Sequence, residues 1–414
     1  MTVSARLDQM VTEAQVNCPS KLECNIQDGK STTKSTASGL WLPSTQKAVI
    51  TPEMGRTLNL SVHEIPVRPP TSTEAVVKIF YTGLCRSDAC FSIGPEPGFP
   101  KHNHIAGHEG IGQVIQSHDP SLVGRTVGIR YLGATCGSCA YCLSGLPTSC
   151  PGQLNAPKHI AGTFQEYATV PTSCLVALPD GILLSDPAAA CGALCAALCS
   201  GSAALTALRA ARVHAGSIVV VAGVAGAIGH LAGAMARRVF GARVVGIDLG
   251  WKCDLLRQKQ HHEQYADVLL DAAAAAATGQ EWSDFEARLV RACTRLRPDK
   301  ALARAADAVV VCASSESAFQ NLDKYVCDGG RIVCVGVPRN LVLSISIHAL
   351  VERNLHLTGN LMGDHCASLE VMGYISTGLI QPLITKVTLE DIPDQMQRMV
   401  DCKSIGKIVA RIGG

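Results

Sequence analysis

The stretch Ser217–Asp248, SIVVVAGVAGAIGHLAGAMARRVFGARVVGID, decides the fold. It opens on SIVVVAG, a short β-branched run of the kind buried on both faces of a parallel sheet. Gly223, Gly226 and Gly229 follow as G-x-x-G-x-x-G. Ile228, Leu231, Ala232, Met235 and Val239 then recur at helical spacing, and ARVVGID supplies a second apolar strand. Strand, glycine turn, helix and strand make a βαβ unit. Such a turn brings the backbone close to a pyrophosphate and aims a helix N-terminus at its charge. The triplet departs from G-x-G-x-x-G, so its weight comes from the strand before it and the helix after it. Asp248 ends the second strand, where an acid accepts hydrogen bonds from ribose hydroxyls and repels a 2′-phosphate. The reading is NAD(H) rather than NADP(H).

Working outward, AVVVCAS (308–314) and GRIVCVGVP (330–338) add further parallel strands. Upstream, from Lys47 to about Val127, the chain is strand-like and rich in turns, with AVVKIFYTG and GIGQVI as its clearest strands. The fold class expected is therefore α/β: a mostly-β unit joined to a doubly wound, Rossmann-type parallel sheet. The expected organisation is a polar, mobile extension over 1–45, a first domain over 46–188 and 362–414, and a nucleotide-binding domain over 189–361.

The 414 residues are 47% hydrophobic and 17% charged, with a net charge of +2. This excludes an electrostatic case for nucleic acid. No apolar run reaches the ~18–20 residues that cross a bilayer. The N-terminus lacks the charged-then-apolar pattern of a secretory signal, so the expected location is cytoplasmic. In that reducing setting, clustered thiols among the 19 cysteines point to metal.

CGSCAYCLSGLPTSC (136–150) spaces Cys136, Cys139, Cys142 and Cys150 as C-x2-C-x2-C-x7-C. A disulfide cluster, a redox pair and a metal knot compete for it. The missing signal weighs against the first, and the surplus cysteines against the second. GLCRSDAC (83–90) and AGHEGIGQV (106–114) offer Cys85 and His108 as further donors. A catalytic zinc takes three protein ligands and keeps one position open. Cys191, in DPAAACGAL, is the candidate third ligand. Cys195, Cys199, Cys312 and Cys334 sit in apolar surroundings and read as small buried hydrophobes.

From about Lys47 to the C-terminus the chain resembles a zinc-dependent alcohol dehydrogenase of the medium-chain dehydrogenase/reductase superfamily. GLCRSD, GHEGIG, the four-cysteine loop, the glycine turn with Asp248 and the terminal SIGKIVARI carry the resemblance. It implies a GroES-like catalytic domain beside the Rossmann domain, and two zinc ions per chain. Cys85, His108 and Cys191 would hold the catalytic zinc, with Glu109 as an exchangeable auxiliary ligand. Asp88 would orient His108, and the Ser87 hydroxyl would receive the substrate proton. Cys136, Cys139, Cys142 and Cys150 would bind a structural zinc. Arg86 and Lys407 would face the cofactor phosphates, and Lys252 the adenosine ribose. The implied reaction is hydride transfer between NAD(H) and a small alcohol, aldehyde or ketone.

The short spacer from Cys150 to GTFQEYA resembles the tetrameric branch, so a homotetramer is expected. Cys90 stands where many members carry a relay histidine, and a thiol shuttles protons less well than imidazole near neutral pH. Cys195 stands where a threonine commonly meets the nicotinamide. FSIGPEPGF (91–99) lacks tryptophan, and Tyr131 replaces one. These departures suggest a wider pocket and a specialised, biosynthetic substrate. Two alternatives stay open: another reduction or a redox-neutral rearrangement on the same scaffold, and a non-catalytic zinc-binding homologue.

Overall fold

The computed structural model describes residues 38–39, 41–55, 57–93, 104–178, 192–275, 279–298, 304–338 and 341–413. Most of the N-terminal extension, together with Cys191 and residues 94–99 of the expected pocket wall, lies outside them. Of the extension, Ser38–Gly39 pairs antiparallel to the strand Glu109–Ser117.

The first unit is built on β1 (Glu74–Gly83), β2 (Glu109–Ser117), β3 (Thr126–Arg130) and β4 (Leu175–Ala177). They form an antiparallel sheet in the order β4-β3-β2-β1. A short helix, α1 (Arg86–Ser92), follows β1 directly. Alternation governs β1: Ala75, Val77 and Ile79 face one apolar core with Val114, Ile129 and Phe164. The β1–β2 register shifts between Ile79 and Tyr81. That bulge turns Tyr81 toward the second core, where Leu194 and Cys195 lie.

The second unit begins with α2 (Ser200–Ala210) and β5 (Ile218–Ala222), whose five residues are all buried. It continues through α3 (Gly229–Arg238), β6 (Arg243–Asp248), α4 (Gly250–Arg257), β7 (Val268–Asp271), α5 (Gln280–Leu296), β8 (Ala306–Val311), β9 (Val326–Cys334) and β10 (His356–Gly359). The sheet order is β7-β6-β5-β8-β9-β10, and every pairing is parallel. Chain order reverses between β5 and β8. In a doubly wound sheet that switch point opens the ligand crevice at the carboxyl ends of the strands.

After residue 362 the chain divides its packing. Helix α6 (His365–Ser376) buries Ala367, Val371 and Met372 in the core that holds Leu205 and Leu208 of α2. β11 (Ile384–Thr388) and β12 (Lys407–Arg411) then join the first sheet, β12 running antiparallel to β1 with Val409 opposite Gly83. This return places Lys407 beside the β1–α1 turn. Among the described residues, no helix is long and apolar enough to cross a membrane.

Candidate active site and metal centres

Cys85 caps α1, in the turn that follows β1. His108 and Glu109 lie at the start of β2. The carboxylate of Asp88, fully buried, ties these pieces together. It accepts hydrogen bonds from Cys85 N at 3.2 Å, Gly107 N at 2.9 Å and His108 Nδ1 at 2.8 Å. An ionised carboxylate only accepts, so Nδ1 carries the proton and Nε2 is the free donor atom of the ring.

The fourth contributor is Cys199; the expected ligand Cys191 lies outside the described residues. Cys85, His108, Glu109 and Cys199 each aim one ligand atom into a single group, all within 4.8 Å of one another. Cys199 caps α2, directly after the 3₁₀ turn Cys195–Ala197. That turn is fully buried in the core with Tyr81, so it pins the start of α2 beside the β1–α1 turn. An apolar neighbourhood in sequence suggested a packing thiol. The signal available was position: Cys199 opens the helix that leads straight into β5, the first strand of the nucleotide fold. Cys195, expected near a nicotinamide ring, is instead fully buried in the apolar core.

The electrostatics suit a cation. A hydrogen bond from Cys199, opposed by burial and helped by His108, drives the Cys85 thiol well below its ordinary pKa. The same bond, with burial, drives Cys199 well above the thiol range. Burial pushes Glu109 up to about 7 against the opposing charge of Lys407. Glu109 Oε2 is buried without a hydrogen-bond partner. Two sulfurs, an imidazole and an orphaned carboxylate oxygen fit zinc by donor type.

Lys407 does not face a phosphate crevice. It is fully buried, bonds Glu109 Oε1, and donates to Leu84 O at 2.9 Å and Ser200 Oγ at 3.3 Å. Gly83 leaves room for the pair: a Cβ there would lie 2.8 Å from Glu109 Oε2 and 2.9 Å from Lys407 Cε. Arg86 lies with Nη1 3.5 Å from Cys402 Sγ, and Ser87, exposed, has its Oγ 3.7 Å from Cys85 Sγ. Sequence reasoning missed the Lys407–Glu109 pair because 298 residues separate its members.

The second thiol group is Cys136, Cys139, Cys142 and Cys150, whose sulfurs also lie within 4.8 Å of one another. Cys150 and Cys136 are 3.4 Å apart and Cys139 and Cys142 3.6 Å apart, as free thiols. A tetrahedron with zinc–sulfur bonds of ~2.3 Å has edges of ~3.8 Å, close to these separations. Backbone N–H groups of Cys136 and Cys139 point at Cys150 Sγ and Cys136 Sγ, both at 3.4 Å. Such bonds suit thiolates. Hydrogen bonds from Ser138, Cys139 and Cys150 lower Cys136 to about 6. Among the described residues, Cys366 departs from the expectation of reduced cysteines: it is disulfide-bonded.

In the nucleotide unit, Gly223 adopts φ +84°, and a Cβ there would meet Ala313 N at 2.8 Å. A Cβ on Gly229 would lie 2.0 Å from Gly223 O. The turn is thus closed to side chains and lies at the head of α3. Asp248 accepts hydrogen bonds from Ala225 N and Leu249 N, both at 2.9 Å. Burial raises its pKa, against the opposing charge of Lys252. A cleft between Gly223, Asp248, Ala313, Ser315 and Tyr325 opens beside it. Lys252 is buried near Asp248, its Nζ 5.4 Å from the Trp251 ring centroid.

Known proteins share this fold. Residues 71–180 match the alcohol dehydrogenase GroES-like domain and residues 227–375 the zinc-binding dehydrogenase domain. Alcohol dehydrogenase 2 of Emericella nidulans is 27% identical over 381 residues, covering 89% of this chain and 98% of its own. The alcohol dehydrogenase of Schizosaccharomyces pombe is 28% identical over 372 residues, with the same coverages. The alcohol dehydrogenase of Aeropyrum pernix superposes with a TM-score of 0.73 at 19% identity, covering 88% of this chain and 99% of its own. The chain belongs to the zinc-type alcohol dehydrogenases of the medium-chain dehydrogenase/reductase superfamily. It is a zinc-dependent alcohol oxidoreductase.

Proposed function

We propose that the chain interconverts a specialised alcohol and its aldehyde or ketone, with Cys85, His108 and Cys199 as ligands of a catalytic zinc and the four-cysteine lobe holding a second. The convergence of Cys85, His108, Glu109 and Cys199 within 4.8 Å carries this reading. When bound, zinc supplies Lewis-acid polarisation of the substrate oxygen. The chain supplies the rest. Asp88 fixes the His108 tautomer, so Nε2 stays free as a donor. Lys407 holds Glu109 at the rim of the donor set, where its free oxygen can replace a departing ligand. Ser87, exposed beside Cys85, takes the proton of the alcohol. The Gly223–Gly229 turn cradles the pyrophosphate and Asp248 takes the ribose. Arg86 and Lys252 belong to the same cofactor surface.

The substrate reading rests on Cys90, where many members carry a relay histidine, on the lack of tryptophan in residues 91–99, and on Tyr131, where a tryptophan often stands. The proposed setting is cytoplasmic. The proposed assembly is a homo-oligomer, a tetramer by preference. β10 ends the parallel sheet with all four residues exposed, and Val342, Ile347, Val351 and Leu361 are exposed around it. A second copy pairing edge to edge would cover both the strand and this apolar surface.

The test is zinc per chain on the purified protein, followed by NAD⁺ reduction across primary, secondary, allylic and aromatic alcohols. About two zinc ions and turnover of one class are expected. One ion or none, with no turnover, would reject the reading. Sedimentation velocity checks the assembly.

A further inference from the structure

We propose that Lys158 makes this site selective for substrates carrying a carboxylate, an inference that rests on the alcohol oxidoreductase reading above. Aromatic rings stand beside the donor set. The His108 ring meets Tyr131 edge-on with centroids 5.7 Å apart, and Phe91 likewise at 6.4 Å. Phe91 and Tyr131 stack on each other at 5.9 Å, with planes 6° apart. Lys158 extends over the Phe91 ring, its Nζ 5.5 Å from the centroid. The ammonium therefore sits one ring away from the proposed ligand imidazole.

Its backbone is fixed there. Asn155 pairs with Leu132, and Ala156 N donates to Tyr131 O at 3.0 Å. His159 N donates to Asn155 O at 2.7 Å, closing the turn that presents Lys158. Among the described residues, two other cations near the donor set are engaged. Lys407 is on Glu109, and Arg130, 2% exposed, donates to Gly363 O. Lys158 is half-buried, and among the described residues its one interaction is the Phe91 ring. A ring face is a weak partner for an ammonium, whereas a carboxylate is a strong one. A flat substrate with its carbonyl at the donor set and a carboxylate at its far end would lie along the Phe91–Tyr131 wall and meet Lys158.

The test compares 4-formylbenzoate with its methyl ester as aldehyde substrates of the holoenzyme. A second arm measures binding of 4-carboxybenzamide and benzamide to the NADH complex by calorimetry. Wild type should prefer the acid in kcat/KM by about 10- to 100-fold, the range spanned by a hydrogen bond to a charged group. Lys158→Met should abolish the preference in both arms while leaving the ester within about twofold. Lys158→Arg should retain it, and Lys158→Glu should reverse it. Equal handling of acid and ester by wild type, or a preference unchanged in Lys158→Met, would overturn the proposal while the oxidoreductase reading stands. A Lys158-dependent preference in binding, with no turnover of any aldehyde, would keep the anion subsite and reject the oxidoreductase reading.

Discussion

The ammonium of Lys407 rests against the carboxylate of Glu109 with neither side chain reaching water. Lys407 comes from the last strand and Glu109 from the second strand of the sheet, so this pair joins the C-terminus to the metal site. Removing one member of a buried pair strands the other charge and costs about 3–5 kcal/mol. Lys407→Met should lower stability by that order and weaken zinc retention. Lys407→Met combined with Glu109→Gln should recover part of the loss. Urea unfolding and zinc content measure both effects, and a double variant no more stable than the single would count against the pairing.

Cys199 and Cys191 make opposite forecasts. Cys199→Ser should reduce zinc from about two to about one per chain and abolish turnover. Cys191→Ser should leave both essentially unchanged. Zinc analysis of the two variants decides between them.

Asp248 should set cofactor preference. Asp248→Gly removes the charge that repels a 2′-phosphate. The ratio of kcat/KM for NADP⁺ over NAD⁺ should rise at least tenfold. An unchanged ratio would place the discrimination elsewhere.

His230 should make stability fall in mild acid. Its ring is fully buried, with Nδ1 against Gly226 O at 2.8 Å. Burial lowers its pKa to about 4 from 6.5. Between those values the unfolded chain binds a proton that the folded chain does not. Stability from the neutral ring is therefore complete above about 6.5, falls as the pH drops toward 4 and levels off below that, a total on the order of 3 kcal/mol. His230→Phe should lack this component. The difference between the two unfolding curves across pH 4–7 isolates it from acid loss of metal.

Cys90→His tests the absent proton relay. If Cys90 interrupts it, the histidine variant should oxidise alcohol several-fold faster below about pH 8. An unchanged pH–rate profile would show that another route carries the proton.

The nucleotide fold was legible because its cause is local. β-branched apolar runs of five or six residues bounded by glycine suit buried strands, and the glycines between them answer a backbone requirement within the same turn. The four-cysteine lobe was legible for a like reason: its donors lie within fifteen residues of sequence. Cys85, Asp88 and His108 were readable as motifs, although their meeting depends on β1 and β2 pairing. What the sequence by itself determined was the set of chemical groups and the two local folding units. Tertiary structure alone decided which thiol completes the donor set, because Cys199 reaches it only through a buried turn packed under the first sheet. It alone decided that Lys407 serves Glu109, since sequence patterns carry no record of a contact between residues 298 apart whose strands meet only by flanking β1.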